Sequence, residues 1–332
     1  MSEHAGIDTA PPPSLPRAAR DGRIARWRHL GPTYGATAAL VVLVVANAIF
    51  TPHFATASNL WNVLLQVSEV LLVGLGMTLV IATEGIDLSV GSVMAVAGAV
   101  GAVLLPHGVA LAALAALAAA LVVGLLNGAL VAWVRVQPIV VTLATLIAAR
   151  GLAQVISHGG ELVTIDDPAF LALGRGHLGP VPAPAVVALA AAVATVLVVR
   201  MTPFGRYLLS TGGNRAAARL AGVPVTRTLI TAYAACAVMA GLAGLIQAAR
   251  LGASDGAKIG LNMELDAIAA VVVGGTAFYG GRATILGTVV GALIMQVIAT
   301  SFNMLLIPYA WSLALKAAII LGAVYLQRPA RA

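Results

Sequence analysis

Hydrophobic positions along this chain run in long blocks, and polar residues gather in the short stretches between them. Ten apolar blocks lie near 33–50, 62–83, 88–105, 109–133, 138–157, 182–200, 228–249, 264–278, 284–306 and 309–326. A helix needs about 20 residues to cross a hydrocarbon core, and most of the blocks reach that length. None shows the period-2 alternation of a half-buried strand or a membrane barrel. The pattern predicts an all-α fold, a polytopic transmembrane helical bundle of about ten spans occupying residues 33–326. Blocks 88–105 and 264–278 are short, which predicts that each is broken, tilted or partly re-entrant. Residues 1–32 carry Pro and charge but no apolar core, so they read as a disordered cytoplasmic tail and not as a signal peptide. Residues 327–332 form a short cytoplasmic C-terminal tail.

Composition agrees with this class. Of the 332 residues, 60% are hydrophobic and 9% are charged, against about 25% charged in a soluble domain. The 35 glycines and the abundance of Ala suit helices that approach closely in lipid. The distribution of basic residues then orients the bundle. With a cytoplasmic N-terminus and ten crossings, Arg135, Arg282, the N-terminal arginines, Arg328, Arg331 and a basic loop at 200–227 all fall inside. Only Arg175, Arg250 and Lys258 fall outside, while Arg150 and Lys316 lie within blocks. Lys and Arg resist translocation, so this orientation is favoured over its inverse. An eight-span alternative, with both short blocks re-entrant, puts Arg135 and the basic loop outside and is disfavoured by the same rule. The net charge of +7 follows from topology and attraction to anionic lipid heads, and does not call for a nucleic-acid partner.

Several chemistries lack their residues. There is no G-x-x-x-x-G-K-[ST] loop for a nucleotide, no H-E-x-x-H or Cys/His cluster for zinc and no G-x-S-x-G nucleophile elbow. His4, His29, His53, His107, His158 and His177 are scattered through tails and loops, and Cys236 is the single cysteine. No cofactor, metal or catalytic residue is expected.

The remaining polar residues inside the apolar blocks, or at the junction between two of them as Glu84 and Asp87 are, are therefore the candidates for function. Asn62, Gln66, Glu69, Glu84, Asp87, Asn127 and Gln296 are candidates for an aqueous translocation path. Each has a structural reading beside the functional one. Asp87 is placed to cap the helix that begins LSVGSV. Glu69 either lines the path or pairs with another helix, with Arg150 and Lys316 as expected partners. Glu264 and Asp266 open a helix where acidic side chains complement the dipole. GLLNG (124–128) and GTVVG (287–291) match a close-packing pattern, and Gly274, Gly275, Gly280 and Gly281 predict a sharp break or close packing. The basic loop contains a short helical stretch, NRAAARLAG, whose Arg215 and Arg219 lie four residues apart on one helical face with Leu220 beside them. A basic helix held out of the membrane suits docking on a soluble partner.

Three segments carry a family resemblance. TEGIDLSVGSVMAVAGA (83–99), GNRAAARLAGV (213–223) and ELDAIAAVVVGGTAFYGGRATILGTVVGAL (264–293) resemble, in this order and spacing, the permease subunits of bacterial ATP-binding cassette (ABC) sugar importers of the ribose/xylose/galactofuranose type. The resemblance covers roughly residues 35–326. VRVQPIVVTLATLIAARGLAQVI and GGELVTIDDPAF look most like the galactofuranose-type members, whereas Glu84 stands where many members have a small residue. The resemblance implies a vitamin B12-importer-like architecture in the bacterial inner membrane. It also implies a monosaccharide as cargo and three partners: an ABC ATPase subunit, an extracytoplasmic sugar-binding protein and a second permease copy, identical or not. It assigns Asn214, Arg215, Arg219, Leu220 and Gly222 to coupling with the ATPase. The alternative is a proton-coupled secondary transporter using Glu69, Glu84 or Asp87; a non-transporting membrane scaffold is a third reading.

Overall fold

The computed structural model describes residues 22–326. The order of helices is α1 (Gly22–Phe50), α2 (Ala57–Ala82), α3 (Val90–Leu104), α4 (Val109–Ala129), α5 (Pro138–Ile156), α6 (Pro168–Arg175), α7 (Ala183–Met201), α8 (Pro203–Gly213), α9 (Arg215–Leu220), α10 (Val225–Leu251), α11 (Met263–Val273), α12 (Ile285–Met304) and α13 (Tyr309–Leu326). Among the described residues, seven helices are long and apolar enough to cross a membrane, and Tyr34–Phe50 and Ala310–Ala323 are shorter apolar helices.

The ends of these helices follow local chemistry. Pro occupies the first turn of α5, α6, α7 and α8, where a missing N–H costs nothing. The Thr56 hydroxyl accepts from the Asn59 N–H at the start of α2, and the Asp167 carboxylate accepts from Ala169 and Phe170 at the start of α6. The last turn of α4 widens into a π-helical turn, Leu130–Val134, closed by Arg135 in a left-handed conformation.

Small residues build the centre. Helix α10 stands in the middle and packs on α4, α2 and α3. Gly124 and Gly128 of α4 meet the α10 backbone at Tyr233–Ala234 and Ile230, and Gly76 of α2 meets it at Cys236. Gly287 and Gly291 of α12 sit on the carbonyls of Gly274 and Ala270. Both expected close-packing patterns are thus used inside the chain. The expected break at the glycine pairs is also present, with Gly275, Gly280 and Gly281 all at positive φ.

The two short blocks pack at the centre of the bundle, and of the two only the first, continued to His107, is long and apolar enough to cross a membrane. Gly244 of α10 lies on the Met94 carbonyl and Gly98 faces Ala248, so α3 runs beside the C-terminal part of α10. Helix α11 begins where Gly260 and Glu264 press on Gly91, and it runs down along α12 to the Gly274–Gly287 contact. The two short helices therefore start side by side in the interior of the bundle.

Three features depart from the sequence reading. Residues 22–32, expected in the N-terminal tail, belong to α1; the rest of that tail and residues 327–332 lie outside the described residues. The 200–227 loop holds two helices, α8 and α9, where one was expected. The fold is not purely helical, because Val163–Thr164 pairs with Ala253–Ser254, and His177–Leu178 with Val181–Pro182. The first of these pairs ties the α5–α6 connection to the end of α10.

The tight glycine contacts generate a prediction. A Leu at Gly291 meets the Ala270 backbone, whereas Gly151 faces open space. Gly291→Leu should destabilise the detergent-solubilised protein by about 1–3 kcal/mol or more, as overpacking does. Gly151→Ala should leave its thermal midpoint unchanged. Equal midpoints for the two variants would contradict this packing.

Candidate functional site

The seven expected path residues fall into three separate places. At one end, Gln296 donates from Nε2 to the Gln66 amide oxygen at 3.1 Å and to the Thr300 hydroxyl at 3.2 Å, joining α12 to α2. Asn62 lies one turn away and is exposed. Near them a cavity of about 500 Å³ opens between α1, α2 and α12, but its wall is apolar, formed by residues such as Leu40, Val44, Phe54, Leu60 and Val297. Such a wall offers a sugar almost no hydrogen bonds.

In the interior, Asp87 and Asn127 are fully buried and linked through Ser89. The Ser89 N–H and hydroxyl both donate to Asp87 Oδ1, at 2.9 and 2.6 Å. Asn127 Nδ2 donates to the Ser89 hydroxyl at 2.9 Å, and the Thr145 hydroxyl donates to Asn127 Oδ1 at 2.6 Å. One polar chain thereby crosses from the α2–α3 connection through α4 to α5. The expected capping of the helix by Asp87 is not found: α3 has no side-chain cap bond, and the Asp87 carboxylate instead closes a turn onto Ser89, the residue immediately before it. Glu84 lies at the opposite end of the same connection, exposed and at a φ of 65°.

Glu69 is almost completely buried, and its partner is Arg250, not the expected Arg150 or Lys316. Arg250 Nε meets Glu69 Oε1 at 2.7 Å. Arg175 Nε in turn donates to the Arg250 carbonyl at 2.9 Å. Lys316 pairs with Asp266 at 2.6 Å, and Arg150 donates to the carbonyls of Gly256 and Ile259 at 3.2 and 2.6 Å, holding the segment that leads into α11. Every one of these charges has a protein partner, as expected where water is excluded. The sequence signal for Arg250 was only a basic residue at the end of a long apolar block. For Ser89 and Thr145, which complete the buried polar chain, the sequence gives no signal beyond a polar atom in an apolar run.

The five expected coupling residues divide by direction. Asn214 caps α9, its Oδ1 accepting from the Ala217 N–H at 2.9 Å. Gly222, at a φ of 77°, turns the chain back after α9, and the Val223 N–H donates to the Ala218 carbonyl. Ala218 packs on Ala132, Val225 and Leu229, so α9 rests on the ends of α4 and α10. Arg219 and Leu220 point outward, and Leu220 is 92% exposed. Arg215 does not share their face: it turns inward, and its Nη2 donates to the Thr83 carbonyl at 3.1 Å. The expectation that Arg215 and Arg219 form one docking face is corrected by this bond, because a six-residue helix anchored through Ala218 presents its first and fifth residues differently to the bundle.

Comparison with known proteins decides the family. Residues 59–324 match the family described as branched-chain amino acid transport system / permease component. The chain belongs to this permease family. It is 40% identical to the ribose import permease protein RbsC of Escherichia coli K12 over 86% of this chain and 90% of that protein. It is 37% identical to the galactofuranose transporter permease protein YtfT of the same organism, over 95% of this chain and 94% of that protein. It is 34% identical to the L-arabinose ABC transporter permease protein AraH of Azospirillum brasilense, over 95% and 93%. No solved structure matches the chain.

The Glu69–Arg250 pair supplies a test of the structural reading. Glu69→Gln leaves the Arg250 guanidinium without its counter-charge and should cost about 3 kcal/mol, the low end for a broken buried pair, because Arg250 keeps some exposure. Thermal melting in detergent should show the loss, and Glu69→Gln/Arg250→Gln should recover part of it. A stable single variant with impaired transport would instead assign Glu69 to the path.

Proposed function

We propose that this chain is the membrane permease of an ATP-driven importer that carries a monosaccharide into the cell. It breaks no bond; it alternates access to a path while a separate subunit hydrolyses ATP. The observation that carries this reading, beside family membership, is the outward face of α9. A large apolar side chain, Leu220, stands almost fully exposed next to Arg219 on a helix fixed to the bundle through Ala218. Exposed apolar residues rimmed by charge favour a protein interface over free solvent. In this proposal Leu220 enters an apolar pocket of the ATPase subunit and Arg219 meets acidic groups around it.

The bundle crosses the inner membrane about ten times, with both termini and the 200–227 region cytoplasmic and an architecture like that of the vitamin B12 importers. Seven long apolar helices, two shorter ones and the incomplete crossing at α11 support that count, and the basic-residue asymmetry supports the orientation. A second permease copy and an extracytoplasmic sugar-binding protein complete the assembly. The sugars named for the relatives, namely ribose, galactofuranose and arabinose, together with fructose, define the panel to screen. The proton-coupled alternative loses support because the relatives are import permeases and because Glu69 is held in an ion pair.

Two measurements test the proposal. In a Cys236→Ala background, a membrane-impermeant thiol reagent applied to intact cells should label Lys258→Cys but not Ser210→Cys; labelling at position 210 would invert the orientation. Arg219→Glu/Leu220→Glu should insert normally, lose about tenfold or more in affinity for the ATPase subunit, as removal of a central interface contact does, and abolish uptake. Normal uptake by that variant would reject α9 as the docking element.

A further inference from the structure

Three segments of the chain meet at one point between α9 and the interior. Thr83 is the residue that ends α2, and its carbonyl is one that the helix leaves free; Arg215, the first residue of α9, donates to it. Next to it, the Gly281 N–H donates to the Ala82 carbonyl at 3.0 Å. Gly212, the penultimate residue of α8, packs against both that carbonyl and Gly281. The α8–α9 junction, the α2–α3 connection and the α11–α12 connection are thus fastened together by backbone groups and one guanidinium.

The interior side of this junction holds unspent hydrogen-bonding capacity. Arg215 Nε, the Tyr233 hydroxyl and Asp87 Oδ2 are buried and have no hydrogen-bond partner among the described residues. The Tyr233 hydroxyl lies against Gly85, midway between Thr83 and Asp87 in the chain. Asp87 leads on through Ser89 to Asn127 and Thr145. Buried donors and acceptors left unpaired in one arrangement are costly, and here a donor, a hydroxyl and an acceptor lie along the same short connection.

We propose that Arg215 is the positioning residue that transmits movement of α9 to the α2–α3 connection, and through it to the buried Asp87–Ser89–Asn127–Thr145 chain. This rests on the importer reading above and adds a division of labour within the cytoplasmic helix: Arg219 and Leu220 bind the ATPase subunit, whereas Arg215 faces the permease. The physical need is plain. Residues 83–89 are not helical through most of their length, and a flexible connection absorbs a push unless a rigid element grips it. A guanidinium on a helix C-terminal carbonyl supplies that grip, favoured by the helix dipole. Arg215 carries no role in ATP hydrolysis and none in docking.

The test uses the complete transporter, purified with its ATPase subunit and reconstituted in liposomes with the sugar-binding protein. Uptake is measured for whichever of ribose, arabinose, galactofuranose and fructose the wild-type complex carries. Arg215→Gln should retain ATPase binding and ATP hydrolysis, while sugar moved per ATP falls about tenfold, within the usual range of coupling between sites. Arg215→Lys, which restores a cationic donor, should recover part of the ratio. Leu220→Glu should lose ATPase binding instead. An unchanged ratio in Arg215→Gln, including a proportional fall of hydrolysis and uptake with the amount of folded protein, would overturn the proposal. So would loss of ATPase binding equal to that of Leu220→Glu. Failure of the wild-type chain to bind any ATPase subunit would overturn the importer reading, and this proposal with it.

Discussion

The organisation of this protein depends on one constraint: wherever the backbone stops being helical inside an apolar bundle, its N–H and C=O groups must find partners within the chain. Among the described residues, two such breaks lie before α3 and before α11. At the first break the Ala82 and Thr83 carbonyls are taken by the Gly281 N–H and by Arg215, and the Ser89 N–H by Asp87. At the second, Arg150 holds the carbonyls of Gly256 and Ile259, and the Gln247 amide oxygen accepts from the Gly260 N–H. Of the polar side chains that look functional in the sequence, Asp87, Asn127 and Arg215 serve the first of these breaks, and Glu69 belongs to an ion pair that neutralises buried charge.

That constraint also explains why the small residues lie where they do. A connection that turns inside the bundle needs neighbours that come close enough to supply a backbone partner. Gly91 against Gly260, Gly212 against Ala82 and Gly274 against Gly287 provide that approach, and a side chain at any of them meets backbone atoms directly. Around this centre, α4, α5 and α7 turn large apolar residues outward, among them Leu114, Val122, Ile147 and Leu189. The molecule is thus tightly specified along α2, α3, α10 and α12 and more permissive at its lipid-facing rim, where Leu and Val satisfy the solvent without fixing a register.

In the proposed importer, helix α9 brings the two halves of the function into contact. Helix α9 is too short to be stable alone, and it persists because Asn214 caps it, Gly222 terminates it and Ala218 seats it on α4 and α10. Its outward residues are free to bind another protein, and its inward arginine is bound to the break before α3. In that proposal, this rigid element with one face on each side links the permease to a separate ATPase.

The sequence by itself determined the class of protein, the position of nearly every long helix, the shortness of the block that becomes α11 and the basic region between α7 and α10. These follow from hydrophobic run length and charge placement, which act locally and are written residue by residue. It also marked Asp87 as a residue with a local role just before α3, because such roles involve neighbours within a few positions. Only the tertiary structure decided that Glu69 pairs with Arg250 across 181 residues, that Arg215 faces Thr83 and not its helical neighbour's partner, and that Gln66 and Gln296 stand apart from Asp87 and Asn127. Each of those outcomes depends on which helices lie side by side and how each is rotated. In a bundle apolar on nearly every face, periodicity does not record that rotation; backbone approach at the glycines and the pairing of buried polar groups set it.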